Sequence, residues 1–126
     1  MNHKRIVSLT LLLIGAVGLL ALAACASPTP AAPAPLVVTV KAQDLMFDPM
    51  SLTAKVGQPI TINFQNTGAL EHSFVIDALN VKLEHIQPGQ TASVTFTPKA
   101  AGTYEFYCDV PGHRDAGMKG TLTVSA

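Results

Sequence analysis

The sequence has no tryptophan and little charge, 8 Lys and Arg against 8 Asp and Glu, 13% of its 126 residues together. So thin and even a charge leaves no basic stripe to grip a phosphate backbone, which argues against nucleic-acid partners. Cysteine is scarcer still, with two in the chain. Cys25 ends an apolar N-terminal segment, so the rest of the chain holds Cys108 alone and cannot close a disulfide of its own. An unpaired thiol needs a use, and a metal–thiolate bond supplies one. No stretch reads as an amphipathic helix, and no fixed-period repeat is visible.

The charge that is present is unevenly placed. Lys4 and Arg5 precede residues 6–24, which carry none. A basic start followed by an apolar run is the pattern of an export signal. The run is also long enough to suggest a membrane span, which takes about 18 apolar residues. Its ending decides between the two. Leu22-Ala23-Ala24-Cys25 resembles the bacterial lipobox, which implies cleavage after residue 24 and lipid on Cys25. Residues 26–35, Ala-Ser-Pro-Thr-Pro-Ala-Ala-Pro-Ala-Pro, form an extended semi-rigid spacer rather than a core. The expected organisation is a signal over 1–24, a lipidated Cys25 with its linker over 25–35, and one domain over 36–126. Loss of Lys4 and Arg5 leaves that mature chain mildly acidic.

Within the domain, apolar and polar residues alternate with period two. Val38, Val40 and Ala42 form one such row, Ile60, Ile62 and Phe64 another. Phe74 and Ile76 face away from Ser73 and Val75; Val94 pairs with Phe96, Tyr104 with Phe106 and Cys108, and Leu122 with Val124. Turn residues at 57–59, 66–68, 87–89 and 101–102 separate them. Residues 78–84 read equally as strand or loop. Seven or eight short strands of this kind predict an all-β, antiparallel sandwich.

One loop carries the chemistry. In Tyr-Cys-Asp-Val-Pro-Gly-His-Arg-Asp-Ala-Gly-Met, Cys108, His113 and Met118 are each separated by four residues. A thiolate, an imidazole and a thioether in one short loop suit copper. A His₂Cys set with a weak axial Met is the donor set of an electron-transfer copper site. The second imidazole is expected from His72, in Leu-Glu-His-Ser-Phe-Val-Ile. Pro111, Gly112 and Gly117 suit a tight loop in which each donor must be aimed.

From Gly-Thr-Tyr-Glu-Phe-Tyr-Cys through Gly-Met-Lys-Gly-Thr-Leu-Thr-Val, the C-terminal third resembles the cupredoxins, and plastocyanins and auracyanins above all. The C-x4-H-x4-M spacing is like that of auracyanin; plastocyanins are shorter between Cys and His. The resemblance implies a Greek-key cupredoxin sandwich holding one type 1 copper on His72, Cys108, His113 and Met118. It also implies a one-electron carrier without enzymatic activity of its own. His113 would be the electron port, where redox donors and acceptors dock on an apolar surface that includes Pro111, Gly112, Ala116 and Gly117, with Leu45, Met46 or Leu70. Arg114 and Asp115 carry opposite charges and steer weakly. Ser73 stands where the family often has an Asn that ties two loops together, and Ser reaches less far. Val110 stands where plastocyanin has Pro, so it keeps an N–H that could join that of Ser73 on the sulfur.

Other residues read more plainly. His85 has no partner at useful spacing and belongs on the surface; Met46 and Met50 suit packing better than copper loading. Tyr104 and Phe106 suit the core. Glu71, Glu105 and Asp109 neighbour the site without needing a catalytic role. The expected protein is a monomer, extracytoplasmic, with a lipid holding it to a bacterial membrane. The alternative is copper delivery or storage. A reductase or oxidase would need a second copper site, and the domain has only His72, His85 and His113 to build one.

Overall fold

The computed structural model describes residues 30–126. The expected signal, Cys25 and the first part of the linker lie outside the described residues. Residues 30–35 run without strand pairing up to the sheet.

Nine strands follow in two sheets: β1 (Leu36–Gln43), β2 (Met46–Asp48), β3 (Ser51–Lys55), β4 (Ile60–Asn66), β5 (His72–Ile76), β6 (Val81–Ile86), β7 (Thr91–Phe96), β8 (Gly102–Tyr107) and β9 (Lys119–Ser125). One sheet has the order β2-β1-β4-β7, the other β3-β9-β8-β5-β6. This is the expected sandwich with two refinements. β2 is only three residues long, too short to show alternation in the sequence. The ambiguous stretch resolves into a 3₁₀ turn (Asp77–Leu79) and then β6.

The sandwich is not wholly antiparallel, as the sequence had suggested. β1 pairs parallel with β4, and β3 parallel with β9. The cause is connectivity. The chain leaves the first sheet after β2, adds β3 to the second sheet, and returns as β4 running in the direction of β1. Alternation alone cannot distinguish these pairings, because it reports faces and not neighbours.

Alternation sets the core as expected. β4 buries Ile60, Ile62, Phe64 and Asn66 and half-exposes the residues between them. Phe47, Phe64, Phe74 and Phe106 are fully buried and meet in edge-on or tilted pairs, with Phe74 stacked on Phe106, centroids 5.2–6.2 Å apart. Burying each such ring stabilises the fold by about 1.5–3 kcal/mol, and edge contacts add to this. β5 departs from the two-faced pattern, since all five of its residues are buried. This strand delivers His72.

β1 also sets the polarity of the molecule. Leu36 pairs with Ile60 at one pole, and Ala42 pairs with Asn66 at the other, the pole where His72 opposite Ile86 opens β5.

Candidate metal centre

β5 and β8 are antiparallel neighbours, with Val75 opposite Tyr107. β5 begins at His72, and Cys108 follows the last residue of β8. Neighbouring strand ends therefore bring an imidazole and a thiol, 36 residues apart in sequence, to one pole.

The 108–118 loop supplies the rest. It is wound by its own backbone: His113 N–H donates to Val110 O, Ala116 N–H to Gly112 O, Gly117 N–H to Arg114 O, and Met118 N–H to His113 O. Cys108 N–H donates to Met118 O at 3.1 Å, closing the loop. Gly112 and Gly117 have φ of 83° and 106°, and nothing lies within 4 Å of where a Cβ would stand. Backbone conformation, not space, requires glycine at both.

Cys108 Sγ lies 3.5 Å from His113 Nδ1 and 4.0 Å from His72 Nδ1. The three donor atoms fall within 4.8 Å of one another. With metal–nitrogen bonds of about 2.0–2.1 Å and a metal–sulfur bond of about 2.3 Å, donors around one ion sit roughly 3.6–3.8 Å apart. The observed separations bracket that value, so the three residues fit one metal ion. Met118 is fully buried beside them, as are His72 and Cys108, whereas His113 is half-exposed. The structure thus brings His72, Cys108 and His113 together, and Met118 is joined to Cys108 and His113 by backbone hydrogen bonds. Cys25 lies outside the described residues.

The protonation of His72 suits a ligand. Burial, and then the neighbouring His113, push its pKa below the ordinary histidine range, against a smaller opposing pull from Asp44. That shift favours the neutral ring, the form that binds a metal. Its Nε2 is the one buried side-chain nitrogen or oxygen among the described residues without a hydrogen-bond partner. It faces the Gly68 turn, where a Cβ would come 3.1 Å from Nε2 and 2.6 Å from Asp44 Oδ1. A ring protonated there turns its Nδ1 lone pair toward the sulfur.

The surroundings of the sulfur correct one expectation. Ser73 N–H donates to Cys108 Sγ at 3.4 Å, but the bond expected from Val110 N–H does not form. Ser73 also makes the tie for which its side chain had looked short. Its Oγ accepts from Asp109 N–H at 2.8 Å and donates to the Asp109 carboxylate. Cys108 Sγ is 3.6 Å from the same hydroxyl. The single hydroxyl proton goes to the nearer, charged oxygen. Partial burial pushes the Asp109 carboxyl up, but the Ser73 bond and the Lys82 ammonium, 3.0 Å away, together bring it below its usual value. Asp109 is a residue the sequence reading undervalued; its place directly after the thiol was the available signal. Asn66 was read only as part of a turn. It is buried, and its amide bridges Leu70 O and Ile86 O at 2.7 Å each.

The remaining residues fall mostly where expected. His85 is exposed and sits 2.8 Å from Glu71 Oε1. Phe106 is in the core, and Tyr104 is half-buried with its hydroxyl on Ala100 O. Of five large exposed apolar residues among the described residues, Leu45 and Leu70 lie on turns at the His72 pole, Met46 opens β2 opposite Gln43, and Met50 precedes β3; Val37 lies toward the other end of β1.

The Cupredoxin-like domain family matches residues 14–124. The chain belongs to the cupredoxin-like family. Auracyanin-A of Chloroflexus aurantiacus is 30% identical over 123 residues, covering 74% of this chain and 75% of that protein. Plastocyanin A/B of Petroselinum crispum is 41% identical over 92 residues, 64% of this chain and 89% of that protein. The copper-resistant cuproprotein CopI of Rubrivivax gelatinosus is 31% identical, covering 77% of this chain and 71% of that protein. Among solved structures, dithionite-reduced auracyanin from Roseiflexus castenholzii superposes with a TM-score of 0.68 at 29% identity, covering 75% of this chain and all of that one. The cupredoxin-like fold therefore carries its soft-donor pole here with a C-x4-H-x4-M loop.

Proposed function

We propose that this chain is a type 1 copper protein that passes single electrons between redox partners. The observation that carries the reading is the convergence of two imidazole Nδ1 atoms on one buried thiol, at separations suited to a single ion. His72, Cys108, His113 and Met118 would hold the metal, and bound copper would supply the one-electron couple. The protein's part is positional. Buried His72, Cys108 and Met118 exclude water, and the sheets on either side keep the donors in place when the charge of the site changes. Half-exposed His113 is the route in and out.

The likeness to auracyanin A of Chloroflexus aurantiacus, a blue copper protein, supports this reading. Exposed Leu45 and Leu70 at the same pole would let a redox partner approach the port without displacing charged groups. The chain does no chemistry beyond electron exchange in this proposal. Lipid on Cys25 would tether it, as an extracytoplasmic monomer, to a bacterial membrane. Residues 30–35 lead into β1 at the pole opposite His72, so the port would face away from such an anchor.

Adding Cu(II) to the purified chain should give an intense blue or green colour that reductant bleaches. Cys108→Ser should abolish the colour, and Met118→Leu should shift it without removing it. A colourless wild-type chain that still binds copper would overturn the reading. That result would favour copper delivery or resistance, the second reading that the likeness to CopI supports.

A further inference from the structure

Arg114 follows His113, and Tyr107 precedes Cys108. The Arg114 guanidinium carbon lies 3.9 Å from the centroid of the Tyr107 ring, and Nη2 pairs with the Glu105 carboxylate. Glu105 and Tyr107 are two apart on β8, so they project from the same face of the strand. That face is the outer one, because Phe106 and Cys108 turn inward. Tyr107 is itself braced, its hydroxyl donating to Asp77 Oδ2 at 2.7 Å. The chain therefore leaves β8 at Cys108, loops outward, and is caught again on β8 one residue past His113.

We infer that Arg114 is a positioning residue, an external clasp that holds the ligand loop shut and keeps His113 against Cys108. Each partner of Arg114 lies within three residues of the thiol in sequence, and Arg114 is adjacent to the imidazole. The clasp thus acts on the 3.5 Å separation between those two donors and not on the sandwich as a whole. Its chemistry suits arginine specifically. A planar guanidinium can lie flat on a ring while its edge meets a carboxylate, and a lysine ammonium offers only the point charge. The pairing also uses the charge of Arg114, leaving Asp115 as the loop's unpaired charge. The inference rests on the proposed metal site for its consequence, but the clasp itself is measurable without metal.

Hydrogen exchange on the metal-free full chain tests it first. The amides of His113, Ala116, Gly117 and Met118 are hydrogen-bonded within the loop and report its opening. Arg114→Ala should speed their exchange roughly three- to tenfold, the scale of one exposed cation–π contact plus one surface ion pair. The β4 amides of Ile62 and Phe64 should not change. Arg114→Lys and Glu105→Gln should each fall between wild type and Arg114→Ala. Combining Glu105→Gln with Arg114→Ala should add nothing further. Chelator-driven release of Cu(I) from the loaded chain should accelerate in the same order. Loop exchange within twofold of wild type in Arg114→Ala would overturn the clasp. So would equal acceleration in β4, which would make Arg114 a determinant of global stability. A wild-type chain without the blue band would sink the copper reading alone, and unchanged loop exchange would sink the clasp alone.

Discussion

Ser73 is one residue with three duties: its N–H meets the sulfur of Cys108, its hydroxyl oxygen takes the Asp109 N–H, and its hydroxyl proton serves the Asp109 carboxylate. A residue shorter than asparagine can do this because Asp109 supplies the missing length from the other side. Ser73→Ala keeps the first bond and loses the other two. It should cost about 1–2 kcal/mol, read as a lower urea midpoint at unchanged slope. His85 gives a prediction in pH. The Glu71 carboxylate, by hydrogen bond and then by charge, raises the His85 pKa above the ordinary histidine value. A group whose folded pKa is raised stabilises fully below its unfolded pKa, about 6.5, and that contribution is lost as pH rises through the folded value. Following the His85 ring protons by NMR should show titration above the ordinary range, returning to it in Glu71→Gln.

At the scale of elements, the site depends on where strands end. β4 ends in Asn66, whose Nδ2 binds the carbonyls of Leu70 and Ile86 and whose Oδ1 accepts from Gly68 N–H at 3.0 Å. One amide thus joins the end of β4, the 67–71 turn and the end of β6. The turn runs directly into His72. Asn66→Ala would take its donor from the buried bond to Ile86 O and from the part-buried bond to Leu70 O, at a cost of roughly 2–4 kcal/mol. It should also weaken copper binding measured by chelator competition, since the turn that aims His72 loses its anchor. Asn66→Asp should do no better, because a carboxylate cannot donate to either carbonyl.

Across the described residues, the two poles differ. Residues 30–35 lead into β1 at one, and the soft donors gather at the other under a loop and beside exposed apolar side chains. An ion bound by the folded chain and not by the unfolded one stabilises the fold by mass action, by about 2.7 kcal/mol at a hundredfold excess over Kd. Thermal melts should therefore rise with free copper concentration in the wild-type chain. The rise should be much reduced in Cys108→Ser, whose unloaded melt stays near that of the unloaded wild type.

The donor types, their order and the faces of the strands were legible in the chain alone. These follow from local facts: a lone thiol, four-residue spacings, and period-two burial of residues such as Ile60, Ile62 and Phe64. Tertiary structure alone decided the rest. It made β1–β4 and β3–β9 parallel, because crossing between sheets is a matter of connection and not of periodicity. It joined Ser73 to Asp109, buried the amide of Asn66, and folded Arg114 back over Tyr107. Each of these is a contact whose energy depends on which side chain stands opposite, and alternation along a single strand carries no record of that.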